Sequence, residues 1–215
     1  MSLGDIAEVK RRSPSEGEIL ADQDLVDIAT QYELAGAAAI SVLTDKKYFG
    51  GSIEDLTAVK DAVDIPVLRK DFIIDESQVE EAYLSGADAV LLIADILTIE
   101  KLSRLHAYCE TLGMGALVEV HDLDNLIKIE GIDPEIVGFN ARNLKSMKTD
   151  IKDFEAVISR LPRAARVAES GIKNATDLSW VASLGYDAAL IGTSLLKAES
   201  PAGLLAEMLE EARDQ

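Results

Sequence analysis

The sequence contains a single cysteine, Cys109, and only two histidines among its 215 residues. One cysteine excludes an internal disulfide and any metal site built from several thiolates. Cys109 falls in a segment with helical periodicity, so we interpret it as a packing residue. Because Cys/His clusters are missing and the acidic residues form no grouped set of ligands, the sequence predicts no catalytic metal.

Long apolar stretches are also missing. The longest run, residues 87–94, is far too short to span a bilayer, and the N-terminus lacks the basic-then-apolar pattern of a signal peptide. No Gly/Ser-rich or Pro-rich linker divides the chain. We therefore expect a cytoplasmic protein whose residues 1–215 form one domain.

Basic residues are in the minority, since 21 Lys and Arg stand against 39 Asp and Glu and the formal net charge is −18. Such a surface repels nucleic acids and anionic membranes, so we expect neither as a partner. We expect a monomer that acts on a small molecule. If that molecule is an anion, the few lysines and arginines must supply local positive charge, which makes their positions informative.

Strand-like and helical patterns alternate along the whole chain. The strand-like runs are 5–9, 38–43, 65–69, 87–93, 115–120, 136–139, 165–169 and 188–191. The helical patterns are 22–35, 52–63, 77–85, 99–112, 123–130, 151–161, 174–184 and 201–213. Strict alternation with nearly continuous apolar strands indicates a parallel sheet covered by helices, and eight units predict a single closed (β/α)₈ barrel. The chain is near the short limit for this fold, so its loops should be short.

The first strand ends in two opposite charges, Glu8 and Lys10. Residues i and i+2 lie on the same side of a strand, so the two form either a structural ion pair or part of an active site. Barrel enzymes build their active sites at the carboxyl ends of the strands, so charged residues at several strand ends favour an active site over a structural ion pair. Polar residues follow the other strands as well, notably Lys70, Glu119, Asn140 and Glu169.

Two lysines and three carboxylates are expected to meet in a water-poor site at the carboxyl ends of the strands. Such neighbours can shift one another's pKa values in opposite directions, which suits general acid–base chemistry. The histidines are poor candidates for this work. His106 lies in the middle of a predicted helix, and His121 directly follows the fifth predicted strand. We expect both to have packing or capping roles.

The last two strand ends indicate a phosphate site. Small residues with free backbone N–H groups lie beside hydroxyls there: Ser170, Gly171, Gly192 and Thr193. Barrels often hold a phosphate at the loops after strands 7 and 8, where backbone amides can donate to its oxygens. Two such loops at the expected places favour phosphate binding over ordinary turns.

The sequence resembles the indole-3-glycerol phosphate synthases of tryptophan biosynthesis. The resemblance covers nearly the whole chain and rests on the segments IAEVKRRSPS (6–15), TDKKYFGG (44–51), LRKDF (68–72), LVEVH (117–121), GFNARNL (138–144) and AESGI (168–172). It implies ring closure of 1-(2-carboxyphenylamino)-1-deoxyribulose 5-phosphate with loss of CO₂ and water. Orientation of one bound molecule and movement of protons suffice for this reaction, so no cofactor is expected.

The resemblance also implies roles for individual residues. Lys70 matches the general acid that protonates the ketone, and Glu119 matches a proton-transfer residue of the dehydration. Glu8 and Lys10 match residues that orient and polarise the substrate, with the lysine near the phosphate as well. The remaining matches are to the catalytic rim (Asn140, Glu169), the contacts to the substrate carboxylate (Ser13, Arg142), the phosphate loops (Ser170, Gly171, Gly192, Thr193) and the apolar wall around the anthranilate ring (Phe49, Phe72, Leu91).

One departure from the family pattern is that a helical segment usually precedes the first strand, whereas here we expect little N-terminal extension. Two other functions fit part of the pattern. A sugar-phosphate isomerase would share the phosphate loops but not the set of Lys70, Glu119 and Glu8. A non-catalytic barrel that binds a phosphate ligand would use the same charges for recognition alone.

Overall fold

A closed barrel of eight parallel strands forms the centre of the computed structural model, which describes residues 3–20, 24–143 and 146–213. Each strand pairs with the strands before and after it in the chain, and the last pairs with the first. The strands are β1 Gly4–Val9, β2 Ala39–Leu43, β3 Val67–Lys70, β4 Ala89–Ile93, β5 Gly115–Val120, β6 Ile136–Asn140, β7 Ala165–Glu169 and β8 Ala188–Ile191. The predicted (β/α)₈ barrel is confirmed.

The helices follow the predicted alternation with some differences. They are α1 Leu25–Leu34, α2 Lys46–Phe49, α3 Ile53–Ala62, α4 Glu76–Leu84, α5 Ile99–Leu112, α6 Asp153–Ile158, α7 Ala175–Leu184, α8 Thr193–Leu196 and α9 Pro201–Arg213. The helix predicted over 123–130 is instead a 3₁₀ helix, Leu123–Lys128, and the short α2 and α8 were not predicted. The first two residues of the predicted helix 22–35 lie outside the described residues.

Side-chain caps explain where most of these helices begin. The carboxylate of Asp75 accepts the backbone N–H of Ser77, and Gln78 Oε1 accepts the Asp75 N–H, which completes a capping box. The side chains of Thr98 and Asn174 also accept a backbone N–H at the starts of α5 and α7. Within the described part of the chain, no helix combines the length and apolar character of a membrane span.

Two separate apolar layers form the core. The layer between the barrel and the helices includes Cys109, which is fully buried in α5, and burial raises the pKa of its thiol to about 11. The smaller layer fills the barrel interior with Leu68, Leu91, Ile93, Leu117, Val167 and Leu190. Burial of such side chains is worth about 1.5–3 kcal/mol each. This inner layer forms an apolar floor beneath the carboxyl ends of the strands.

A short antiparallel ribbon follows β1, in which Arg12 pairs with Glu18 and Ser13 with Gly17. Gly17 has a φ of +71°, which a glycine adopts without strain. The ribbon is held over the barrel mouth because the Arg12 guanidinium donates to the carbonyl oxygens of Lys46 and Lys47 at 3.0 and 2.8 Å. The loop after β1 is therefore fastened to the loop after β2.

Asp5 is a buried carboxyl group that does not take part in the site at the barrel mouth. It is 1% exposed, and within the described residues neither of its carboxyl oxygens has a hydrogen-bond partner. Burial raises the pKa of Asp5 to about 8 from an ordinary 3.8. The folded protein therefore keeps this proton at pH values where the unfolded chain has released it, and stability falls as the pH rises from about 4 to about 8.

We expect Asp5→Asn to remove this pH-dependent loss. At about pH 4 the variant and the parent should melt at similar temperatures, whereas at about pH 8 the variant should be more stable by an amount on the order of a few kcal/mol, since one pKa unit corresponds to about 1.4 kcal/mol. Thermal melts of both proteins across this range provide the measurement. Parallel pH profiles for the two proteins would show that Asp5 is not the group responsible.

Candidate active site

A cavity of about 750 Å³ opens at the carboxyl ends of the strands. Its size is typical of small-molecule sites, which usually occupy about 300–1,000 Å³. The predicted site residues that line it are Glu8, Lys10, Phe49, Lys70, Phe72, Leu91, Glu119, Asn140, Arg142, Glu169, Ser170, Gly171, Gly192 and Thr193. The predicted residues that line the cavity come from seven of the eight strand ends. Phe49 comes from the segment after the remaining strand, β2.

Ser13 is the predicted site residue that does not line the cavity. It is buried in the ribbon after β1, where its hydroxyl accepts the backbone N–H of Glu16 at 3.2 Å and lies 3.4 Å from the Ser15 hydroxyl. These contacts stabilise the turn. The prediction that Ser13 contacts the substrate gains no support from this placement.

Lys70 occupies the centre of the charged cluster. Its Nζ lies 3.7 Å from Glu8 Oε2, 3.9 Å from Glu119 Oε2 and 3.7 Å from Glu169 Oε2. Burial alone would lower the pKa of Lys70, but the surrounding carboxylates outweigh burial and raise it. Lys70 therefore carries its proton throughout the physiological pH range.

The preceding residue, Arg69, points to the opposite face of β3 and fixes the strand end. Its guanidinium donates to the carbonyl of Gln78 at 2.7 Å and to Thr44 Oγ1 at 3.1 Å, and it forms ion pairs with Asp71 and Glu81. These contacts join β3 to α4 and to the end of β2. Alternation along the strand then directs Lys70 into the cavity.

Glu8 and Lys10 form a buried ion pair, with Lys10 Nζ 2.5 Å from Glu8 Oε1. Burial would raise the pKa of Glu8, but Lys10 and Lys70 outweigh it and hold that pKa below its usual range. Gly192 makes room for this carboxylate, since a Cβ there would lie 3.0 Å from Glu8 Cδ. The glycine therefore serves Glu8 as well as the predicted close approach of the backbone to a ligand.

Glu119 has a hydrogen-bond donor at each carboxylate oxygen. Asn140 Nδ2 donates to Oε2 at 3.0 Å, and the amide orientation follows from the Arg142 N–H, which donates to Asn140 Oδ1 at 3.0 Å. His121 Nε2 lies 2.7 Å from Oε1. Burial would raise the pKa of Glu119, but Lys70 and His121 outweigh burial and lower it.

The pKa of Glu169 is shifted in the opposite direction to that of Glu119. It is 1% exposed, and neither of its oxygens accepts a hydrogen bond from the described residues, although Lys70 lies within ion-pair distance. Burial and the neighbouring charge of Glu119 raise the pKa of Glu169 well above its usual range. Glu169 therefore holds a proton more tightly than Glu119 does, the kind of difference that separates acid and base roles in enzymes.

Gly138 on β6 leaves the space that Glu169 occupies. A Cβ at this position would lie 3.2 Å from Glu169 Cδ and 3.2 Å from Leu117 Cδ1. Both neighbours are buried, so neither can move aside easily. Sequence reasoning did not identify this glycine, because its requirement arises from a neighbouring strand.

His121 lies in the cavity, where the sequence-based interpretation did not place it. Its side chain lines the cavity and contacts Glu119, so it is neither a helix cap nor a core packing residue. The alternation that placed Lys10 beside Glu8 applies here too, since His121 follows Glu119 by two residues. That spacing was the signal from which its position could have been found.

Aromatic side chains form one wall of the cavity. The ring centroids of Phe49 and Phe72 are 6.4 Å apart, and Tyr48 lies 6.2 Å from Phe72 in an edge-on arrangement. Leu91 belongs to the barrel floor below them. Tyr48 was not predicted, although it precedes Phe49 in the short helix α2.

The two predicted phosphate loops lie side by side. Ser170 and Gly171 both have positive φ, +71° and +89°, so the backbone after β7 turns sharply. Ser194 Oγ donates to the carbonyl of Ile172 at 2.6 Å and ties this loop to the one after β8. Residues of both loops therefore lie next to each other in the lining of the cavity.

The fold and this arrangement define a (β/α)₈-barrel enzyme with titratable groups at the centre of its cavity and the loops after β7 and β8 at the edge. Comparison with known proteins places it more closely: the chain belongs to the indole-3-glycerol phosphate synthase family, whose sequence model matches residues 2–208. Members of this family are decarboxylating carbon–carbon lyases of tryptophan biosynthesis and act on a phosphate-bearing small molecule.

Individual relatives agree with this assignment. The chain is 46% identical over 205 residues to the indole-3-glycerol phosphate synthase of Kineococcus radiotolerans. The matched region covers 95% of this chain and 75% of the relative. It is 47% identical over 207 residues to that of Desulfotalea psychrophila, with 96% and 80% covered. The 3-hexulose-6-phosphate synthase of Salmonella typhimurium has the same fold, with a TM-score of 0.79 at 14% identity and 99% of both chains covered.

Proposed function

We propose that this cavity is where 1-(2-carboxyphenylamino)-1-deoxyribulose 5-phosphate closes to indole-3-glycerol phosphate with loss of CO₂ and water. The observation that supports the placement best is the position of Lys70, whose ammonium lies within 4 Å of three buried carboxyl groups. A proton donor, an ionised base and a neutral acid are thereby collected in one water-poor site.

The proposed roles follow from protonation state and position. Lys70 gives its proton to the ketone oxygen as the aryl carbon that bears the carboxylate attacks the ketone carbon. The C–CO₂ bond then breaks and its electron pair restores the aromatic ring. In the dehydration, the hydroxyl takes a proton from Glu169, the proposed neutral acid, and leaves as water, while Glu119, the ionised base, accepts a proton from the five-membered ring. The pair of Glu8 and Lys10 orients the substrate between these groups.

Binding uses the two sides of the cavity. The phosphate lies at Ser170, Gly171, Gly192 and Thr193, and the anthranilate ring lies against Phe49, Phe72 and Leu91. Arg142 lines the cavity near the catalytic groups and is the cation that we assign to the substrate carboxylate. Arg142, Lys10 and Lys70 provide local positive charge and offset the overall charge of −18, which would otherwise repel the anionic substrate.

Incubation of the purified protein with the anilino-deoxyribulose phosphate tests the proposal, because product formation is visible as indole fluorescence. We expect turnover that requires no added cofactor, and orientation within one bound molecule supplies part of the rate enhancement. Tight binding of the substrate without any fluorescence would contradict catalysis and indicate a binding protein.

We further infer that the enzyme acts in the cytoplasm as a monomer, with residues 1–215 as one catalytic domain. The strong negative charge supports the absence of nucleic-acid partners. A mass well above 23.2 kDa in light scattering of the purified chain would contradict the monomer.

A further inference from the structure

His121 contacts two hydrogen-bond acceptors, one at each ring nitrogen. Nδ1 lies 2.8 Å from the backbone carbonyl oxygen of Arg142, and Nε2 lies 2.7 Å from Glu119 Oε1. A carbonyl oxygen cannot donate, so Nδ1 must carry a proton. An ionised carboxylate cannot donate either, so beside ionised Glu119 the Nε2 atom must carry a proton as well.

We propose that His121 is a positioning residue that is held as an imidazolium ion and keeps Glu119 ionised and oriented as the base of the site. This inference rests on the proposed function for what Glu119 does, but the charge of His121 itself is a property of the free protein. The histidine acts through Glu119.

Three neighbouring groups stabilise the protonated, positively charged form of His121. Glu119 on β5 pairs with Nε2, and Asp95, which follows β4, accepts the His121 backbone N–H at 2.9 Å. The Arg142 carbonyl after β6 contacts the other nitrogen. Two cations line the same cavity: Arg142, and Lys70 on β3, which lies 3.9 Å from the far oxygen of Glu119.

Protonation equilibria agree with this geometry. Burial would lower the pKa of His121, but the hydrogen bond to Glu119 and its charge, followed by the Arg142 carbonyl and Asp95, outweigh burial and raise that pKa. The same pair lowers the pKa of Glu119. Each partner therefore stabilises the charged form of the other.

The consequence for the site is a second cation bound to its base. With His121 charged, Glu119 Oε1 is committed to the imidazolium, and Oε2 remains for Asn140 and for the Lys70 side of the cavity. The orientation of the accepting oxygen is thus fixed. Without the imidazolium, the base would lose its shortest hydrogen bond and its pKa would rise.

Nitrogen NMR of the folded protein without substrate tests the charge directly. The chain has two histidines, so His106→Asn leaves His121 as the one source of ring signals. We expect both ring nitrogens of His121 to carry protons at neutral pH, with a titration midpoint above that of ordinary histidine. Glu119→Gln should lower this midpoint. A single protonated nitrogen at neutral pH, or a midpoint that Glu119→Gln leaves unchanged, would overturn the proposal.

Activity profiles provide the second readout. In His121→Asn the acid limb of the kcat profile should move to higher pH, because loss of the imidazolium raises the pKa of Glu119. His106→Asn, a matched change on α5, should leave the profile unchanged. A kcat that falls by the same factor at every pH would indicate a merely structural role and contradict the proposal. A protein inactive on this substrate but with an imidazolium signal would disprove the proposed function and leave the charge assignment standing.

Discussion

Lys70→Met should lower kcat by about 10²–10⁴-fold, the usual contribution of a general acid. Methionine keeps the length and apolar stem of lysine but has no proton to give. The change also removes the cation shared by Glu8, Glu119 and Glu169, each within 4 Å of it. We expect KM to change far less than kcat, because the proposed phosphate and aromatic contacts lie elsewhere in the cavity.

A matched control for this variant is Lys60→Met. Lys60 forms an ion pair with Asp88 at 2.8 Å, at the amino-terminal end of the barrel strands and away from the cavity. Its kcat should remain at the parental level, and melting curves should show that both variants fold. A Lys70→Met protein with parental kcat and only a raised KM would make Lys70 a binding residue, and the acid would then have to be sought at Lys10.

The fold could be predicted from the sequence because each barrel strand is a short apolar run followed by turn residues. Because both faces of such a strand are buried, its sequence is a nearly continuous run of Val, Ile, Leu and Ala. The elements that were missed are short: α2 and α8 have four residues each, too few for any periodicity. The segment after Asp122 has the apolar spacing of an α-helix but forms a 3₁₀ helix of six residues.

The residues that line the cavity could also be predicted, because alternation along a strand decides which side chains face the barrel interior. Distances between strands could not be predicted, because they depend on the register between neighbours. The pairing of Glu119 with Gly138 and of Asn140 with Glu169 sets which carboxyl groups come close together. The opposite shifts in the pKa values of Glu169 and Glu119 follow from that register and from burial.

Glu119→Gln is expected to reduce indole formation by about 10²–10⁴-fold, since an amide cannot accept the proton that the carboxylate takes up. Glutamine keeps the shape of the side chain, and its oxygen can still accept from His121. Its NH₂ group would then face the NH₂ of Asn140, whose orientation is fixed by the Arg142 N–H. Two donors left facing each other in a buried site cost about 1–3 kcal/mol, so the melting temperature should fall as well.

The two variants should differ in the step at which the reaction stops. If Lys70 acts in ring closure and Glu119 in dehydration, Lys70→Met should slow CO₂ release and indole fluorescence together. Glu119→Gln should release CO₂ in a first turnover much faster than fluorescence appears, because ring closure and decarboxylation precede the blocked step. Glu207→Gln, an exposed change on α9, is the matched control and should behave as the parent. CO₂ release and fluorescence slowed equally in Glu119→Gln would place Glu119 at or before decarboxylation, and parental rates of both would leave Glu8 as the proton acceptor.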